Sequence, residues 1–182
     1  MEIQINKLSI EDLNTRVEWI NHPSISGNMY FELPASYEKT LKWFLQLDSR
    51  PNRIDLVAKS HTEILSMFGL TDIDLTNSKA ELYIMTNPKF QGMGIGQKAT
   101  KWLLNYSFSI LSLNKIYLYT DTKNLAASNM YNKVGFFQEG ILRSDKFKNG
   151  VLNDRIVMSM LRKEWEDQSW KNNSLTFSIN DN

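Results

Sequence analysis

Ala80-Glu81-Leu82-Tyr83-Ile84-Met85-Thr86-Asn87-Pro88 runs into Lys89-Phe90-Gln91-Gly92-Met93-Gly94-Ile95-Gly96, and this stretch decides how the chain is read. Ala80 to Met85 is apolar and aromatic enough for a strand, and Asn87-Pro88 ends it. A long helix follows the glycines, with Ala99, Leu103, Tyr106 and Ile110 as its buried stripe. A strand, a glycine-rich turn and a helix start make an anion site. The first amides of a helix have no internal acceptors, and the helix dipole adds a favourable field. Glycines let the backbone approach a phosphate without Cβ clashes. A glycine-rich loop also serves merely to turn a chain, so the segment alone does not name a ligand.

Working outward, Ile54 to Ala58 and Ile64 to Leu70 read as two strands joined at His61-Thr62-Glu63, and Asp72 to Ser78 as a polar loop. Upstream lie a short strand at Ile3 and Ile5, then a helix capped by Ser9-Ile10-Glu11-Asp12 that carries Leu13, Val17 and Ile20. That helix should stop near Asn21-His22-Pro23, and a second starts near Ser36. Downstream come a strand from Ile116 to Thr120, a helix from Leu125 to Val134 closed by Gly135, and strands at Phe136 to Leu142 and Arg155 to Leu161 around the turn Asn149-Gly150. The order predicts an α/β (α+β) domain around one central mixed sheet, with helices on both faces. Residues 1–170 form a single domain and residues 171–182 a polar, mobile tail, in which the alternation of Leu175, Phe177 and Ile179 also admits a small edge strand.

Three phosphate patterns compete for the loop. The P-loop pattern fails because Lys98 is followed by Ala99 and stands two residues after Gly96. The dinucleotide pattern fails because Gln97 occupies the place of its third glycine, although Asp121 could mimic the ribose-binding acid. The third pattern, Q-x-x-G-x-G, is met by Gln91, Gly94 and Gly96. A second run, Asn124, Ala127, Tyr131, Gly135 and Phe136, spells N-x-x-A-x-x-x-Y-x-x-x-G-F one strand later. In both runs the chain resembles the GCN5-related N-acetyltransferase (GNAT) family, over about residues 54–161.

The resemblance implies transfer of an acetyl group from acetyl-coenzyme A to a primary amine. Gln91, Gly92, Met93, Gly94, Ile95 and Gly96 would cradle the pyrophosphate, and Asn124 would contact the cofactor, a role compatible with capping a helix. Tyr131 would be the acid that protonates the leaving sulfur, and its other reading is a buried aromatic. Glu81 would be the base, directly or through water, and its other reading is a solvated strand residue. The backbone near Met85 would receive the pantetheine arm between two splayed strands. A base is useful because an alkyl amine of pKa near 10 is only about one part in a thousand neutral at pH 7, a deficit of roughly 4 kcal/mol.

For the acceptor, Trp19-Ile20-Asn21-His22-Pro23 and Met29-Tyr30-Phe31 look most like the amino-sugar-nucleotide branch of the family, with protein N-termini and polyamines as alternatives. Asn21, His22, Tyr30 and Arg143 are the candidate substrate contacts. A coenzyme A-binding sensor or subunit without turnover is the alternative from another class.

Composition bounds the rest. Lys plus Arg is 21 and Asp plus Glu is 20 in 182 residues, so there is no electrostatic case for nucleic acid. The absence of cysteine removes disulfides, thiolate metal sites and a cysteine nucleophile, and with only two histidines no metal is expected. No signal peptide or apolar span is read, so the expected location is cytoplasmic, without membrane attachment. A homodimer is expected at family level only.

Overall fold

The computed structural model describes residues 3–61, 63–171 and 177–179. Its strands are β1 (Ile3–Lys7), β2 (Ile54–Lys59), β3 (Ile64–Asp74), β4 (Lys79–Thr86), β5 (Lys115–Asp121), β6 (Phe137–Lys148), β7 (Val151–Leu161) and β8 (Phe177–Ile179). They form one eight-stranded sheet in the order β6-β7-β5-β4-β3-β2-β1-β8. The β4–β5 and β1–β8 pairs are parallel and the others antiparallel, so the sheet is mixed as expected. The helices are α1 (Leu13–Asn21), α2 (Pro23–Ser26), α3 (Tyr37–Phe44), α4 (Ile95–Asn105), α5 (Leu125–Val134) and α6 (Arg162–Glu166).

Strand alternation sorts the core into two layers. Ala80 and Leu82 of β4 and Ile116 and Leu118 of β5 pack with Ala99, Trp102 and Leu103 of α4 and Val134 of α5. Val57, Met67 and Met85 point the other way, onto Leu13 and Ile20 of α1 and Leu41 and Phe44 of α3. Helices therefore cover both faces.

Several boundaries differ from the sequence reading, each for a local reason. β3 runs on to Asp74 through a bulge at which Asp72 adopts a φ of 48°, a conformation aspartate tolerates better than most residues. α4 ends at Asn105, and a π-turn from Tyr106 to Ile110 shifts the buried side to Ser107 and Phe108, so Ile110, expected in the buried stripe, is exposed. Pro23 does end α1, yet it also begins the short α2 as its first residue. β6 and β7 reach the tip Asn149-Gly150, where both residues have positive φ as a tight hairpin requires. Within the expected tail, Phe177–Ile179 pairs with Ile3–Ile5, which is the edge-strand alternative. Leu175 and residues 172–174, 176 and 180–182 lie outside the described residues.

Candidate active site

The site is made by a fork in the sheet. β4 and β5 pair only at Lys79–Lys115, Ala80–Ile116 and Glu81–Tyr117. Beyond that point β4 stays with β3 as far as Ser66–Thr86, while β5 stays with β7 as far as Asp121–Arg155. The backbones of Leu82–Thr86 and Leu118–Asp121 thus diverge and bound a cleft. Their separation opens a cavity of about 830 Å³ lined by both strands, the glycine loop, α5 and the segment around Tyr30.

At one end stands the glycine loop. Gly92 and Gly94 both have a φ of +79°, and space is open where a Cβ would stand on either. Gly94 is the residue preceding α4, so the free amides of the first turn of α4 follow it directly. Gly96 lets the start of α4 come against β4, since a Cβ there would lie 3.1 Å from Thr86 Oγ1. Gln91, Gly92, Gly94, Ile95 and Gly96 line the cavity, whereas the Met93 side chain is exposed at the apex. A left-handed glycine turn with open space above it, leading into unsatisfied helix amides, suits the pyrophosphate of coenzyme A.

α5 supplies the opposite wall. Asn124 caps it, with Oδ1 accepting from Ala127 N at 3.2 Å, and also lines the cavity. Tyr131 borders the same space. Its ring is 6% exposed and meets Phe136 edge-on at 5.5 Å. Burial pushes its phenol pKa well above the ordinary value. The phenol is therefore protonated across the physiological range.

Glu81 lies at the branch point of the fork. Thr71 Oγ1 donates to its Oε2 at 3.5 Å. Partial burial raises its pKa, as does the neighbouring Asp72, and Arg155 and Lys146 pull it back in part. By alternation Glu81 shares a face with Tyr83 on β4, with Tyr117, Tyr119 and Asp121 on β5 and with Arg155 on β7. Tyr30 leans over this face and donates to Asp121 Oδ2 at 2.8 Å. Burial and that bond raise the Tyr30 pKa to about 12. Arg155 is paired with Asp145 and stands 4.2 Å from the centroid of Tyr119.

The acetyltransferase (GNAT) domain model matches residues 2–137. The chain belongs to the GNAT family. It is an acetyl-coenzyme A-dependent N-acetyltransferase. The spermidine N(1)-acetyltransferase of Escherichia coli K12 is 28% identical over 170 residues, covering 90% of this chain and 88% of that protein. The putative ribosomal N-acetyltransferase YdaF of Bacillus subtilis is 30% identical over 105 residues, covering 58% and 57%. Among solved structures, the spermidine N-acetyltransferase of Vibrio cholerae in complex with CoA and spermine is similar, with a TM-score of 0.84 and 26% identity over 91% of this chain and 99% of that one.

The acetyltransferase brings Glu81, Met85, the glycine loop, Asn124, Tyr131 and Tyr30 to one cavity. Three expected substrate contacts stand elsewhere. Asn21 is spent on Ala35, donating to its O at 2.9 Å and accepting from its N at 2.8 Å. His22 caps α2 by accepting from Ser24 N. Arg143 faces a separate shallow depression on β6 with Asp145 and Asp154. Sequence reading missed Tyr83, Tyr119, Lys146 and Arg155, and weighed Asp121 only as a ribose acid. The period-2 pattern was visible in those strands, but which face met the ligand was not. Among the described residues, no group of three His, Asp or Glu is placed to hold a metal ion, and no helix is long and apolar enough to cross a membrane.

Proposed function

We propose that the acceptor is a polyamine-type primary amine, with Glu81 as the base and Tyr131 as the acid. The observation that carries the chemistry is the placing of Glu81 and Tyr131 on one cavity at the fork. Acetyl-coenzyme A supplies the activated acyl group. The loop from Gln91 to Gly96 holds its pyrophosphate, the parted backbones of β4 and β5 receive the pantetheine arm, and Asn124 contacts it from α5. As the nitrogen–carbonyl bond forms and the carbon–sulfur bond breaks, the Glu81 carboxylate takes one proton from the nitrogen. Tyr131 Oη gives one to the departing sulfur, and solvent exchange restores both groups.

The acceptor class rests on two supports. Spermidine acetyltransferases are similar to this chain over most of its length. The acceptor face carries the carboxylates Glu81 and Asp121 beside aromatic rings, together with Lys146 and with Arg155, which is paired with Asp145; the carboxylates and rings are the groups that would hold an ammonium on a flexible alkyl chain. The amino-sugar-nucleotide expectation gives way to this alternative. Initial rates with spermidine, an amino-sugar nucleotide and an N-terminal peptide test it. A kcat/KM highest for spermidine supports the proposal, and one highest for either competitor overturns it.

The single catalytic unit of residues 1–170 is proposed to self-associate. Phe137, Ile141, Phe147, Val151 and Leu152 expose apolar surface along the β6–β7 arm. Light scattering checks this, and a monomer at all concentrations would refute it.

A further inference from the structure

Tyr83 shares the face of Glu81, one pleat further along β4. Upright, a tyrosine there would fill the space beside the base. Its ring lies back across β3 instead. Asp55 of β2, Gly69 of β3 and Tyr83 of β4 are register partners on three consecutive strands. Gly69 leaves the gap over which the ring passes, since a Cβ on it would stand 3.0 Å from Tyr83 Cε1. Beyond that gap the phenol donates a short hydrogen bond to Asp55 Oδ1.

Asp55 is itself fixed. Arg53 donates to it from Nε at 2.6 Å and from Nη2 at 2.8 Å. The Arg53 guanidinium stands 5.3 Å from the Tyr83 ring centroid and 5.2 Å from that of Trp43, and Arg16 stands 4.3 Å from Trp43. Arg16 is 4% exposed, and its Nη1 has no hydrogen-bond partner among the described residues. Buried charge of this kind is weak support for stability alone. What the arrangement does achieve is to restrain one aromatic ring that would otherwise share space with the substrate.

We infer that the Asp55–Tyr83 contact is a specificity device: it holds the Tyr83 ring off the acceptor face and so sets the room beside Glu81 for the substituent of the amine. Tyr83 is the specificity-determining residue, and Asp55 is a positioning residue that acts through it. The inference rests on the acceptor entering on the Glu81 face.

The test is a double-mutant cycle on Asp55→Ala and Tyr83→Ala, with a crystal structure of Asp55→Ala, since asparagine would keep an acceptor for the phenol. Freed from Asp55, the ring swings toward Glu81. The acceptor KM rises roughly tenfold, while kcat and the Kd for acetyl-coenzyme A stay within about twofold. In the Tyr83→Ala background, Asp55→Ala then has no further effect on acceptor KM. Should Asp55→Ala not fold, Tyr83→Phe keeps the ring, removes the bond and raises KM in the same direction. An equal KM increase from Asp55→Ala with and without Tyr83 would overturn the inference, as would a ring still lying over Gly69 in the variant crystal. The crystallographic result stands whether or not a polyamine is the acceptor, so it fails separately from the acceptor assignment.

Discussion

Glu81 and Tyr117 are the last residue pair that joins β4 to β5. Glu81 thus sits at the vertex of the fork, attached to ordered sheet on one side and to the cleft on the other. Its pKa is raised by burial and by Asp72, so the carboxylate forms only above the usual glutamate range near 4.3. kcat/KM should therefore fall as pH drops through that raised value. Glu81→Gln should lower kcat/KM by about 10² or more and erase this acid limb. Stability should move the other way. The folded state binds the Glu81 proton more tightly than the unfolded state, so its contribution is present below the unfolded pKa and lost as pH rises through the folded one. Glu81→Gln should accordingly melt higher than the parent at pH 7, with the advantage vanishing near pH 4. Equal melting temperatures at both pH values would show that Glu81 is not strained by its surroundings.

Tyr131→Phe removes one proton donor and almost no volume. The ring contact with Phe136 persists, so the melting temperature should shift little. Acid catalysis contributes about 10²- to 10⁴-fold, and a fall in kcat near the lower figure is expected because a thiolate of pKa about 8.5 also leaves unaided. KM for acetyl-coenzyme A should change much less. Steady-state kinetics with a true acceptor check this, and a kcat within twofold of the parent would reduce Tyr131 to packing.

Gly94→Glu tests the phosphate cradle. A Cβ at this position meets no neighbour, although its φ of +79° strains any residue but glycine, and a glutamate would put a negative charge where the pyrophosphate is proposed to sit. Coenzyme A binding by calorimetry should be lost while the circular dichroism spectrum is kept. Unchanged affinity would place the pyrophosphate elsewhere.

Gly69→Ala tests the packing beneath Tyr83. A Cβ there would stand 1.9 Å from the Ile54 carbonyl oxygen and 3.0 Å from Tyr83 Cε1. The first contact is with backbone, so relief requires β2 and β3 to part. A loss of about 3 kcal/mol or more is expected in denaturant unfolding, above the common range for single substitutions. A loss under 1 kcal/mol would show that the strands yield easily.

Much of this site was legible because its parts are local. Gln91 to Gly96 lies between a strand and a helix, and Asn124, Tyr131 and Gly135 lie on one short helix, so spacing alone carries their geometry. Gly135 does close α5 with a φ of 111°. The acceptor side was not legible because it is assembled across strands. Tyr83 reaches Asp55 over a glycine on the strand between them, and Tyr30 reaches Asp121 across 91 positions. Nothing in either segment announces the other. His22 and Asn21 hold a cap and a loop outside the cavity lining, and sequence does not separate those roles from substrate binding because the same polar types serve all three.

The most direct measurement is mass spectrometry of spermidine incubated with the protein and acetyl-coenzyme A, read together with released thiol. Monoacetylated spermidine equal in amount to the thiol released is expected, with both signals falling about 10²-fold or more in Glu81→Gln. Tight coenzyme A binding with no acetylated amine would contradict it, as would undiminished acetylation by the Glu81→Gln variant.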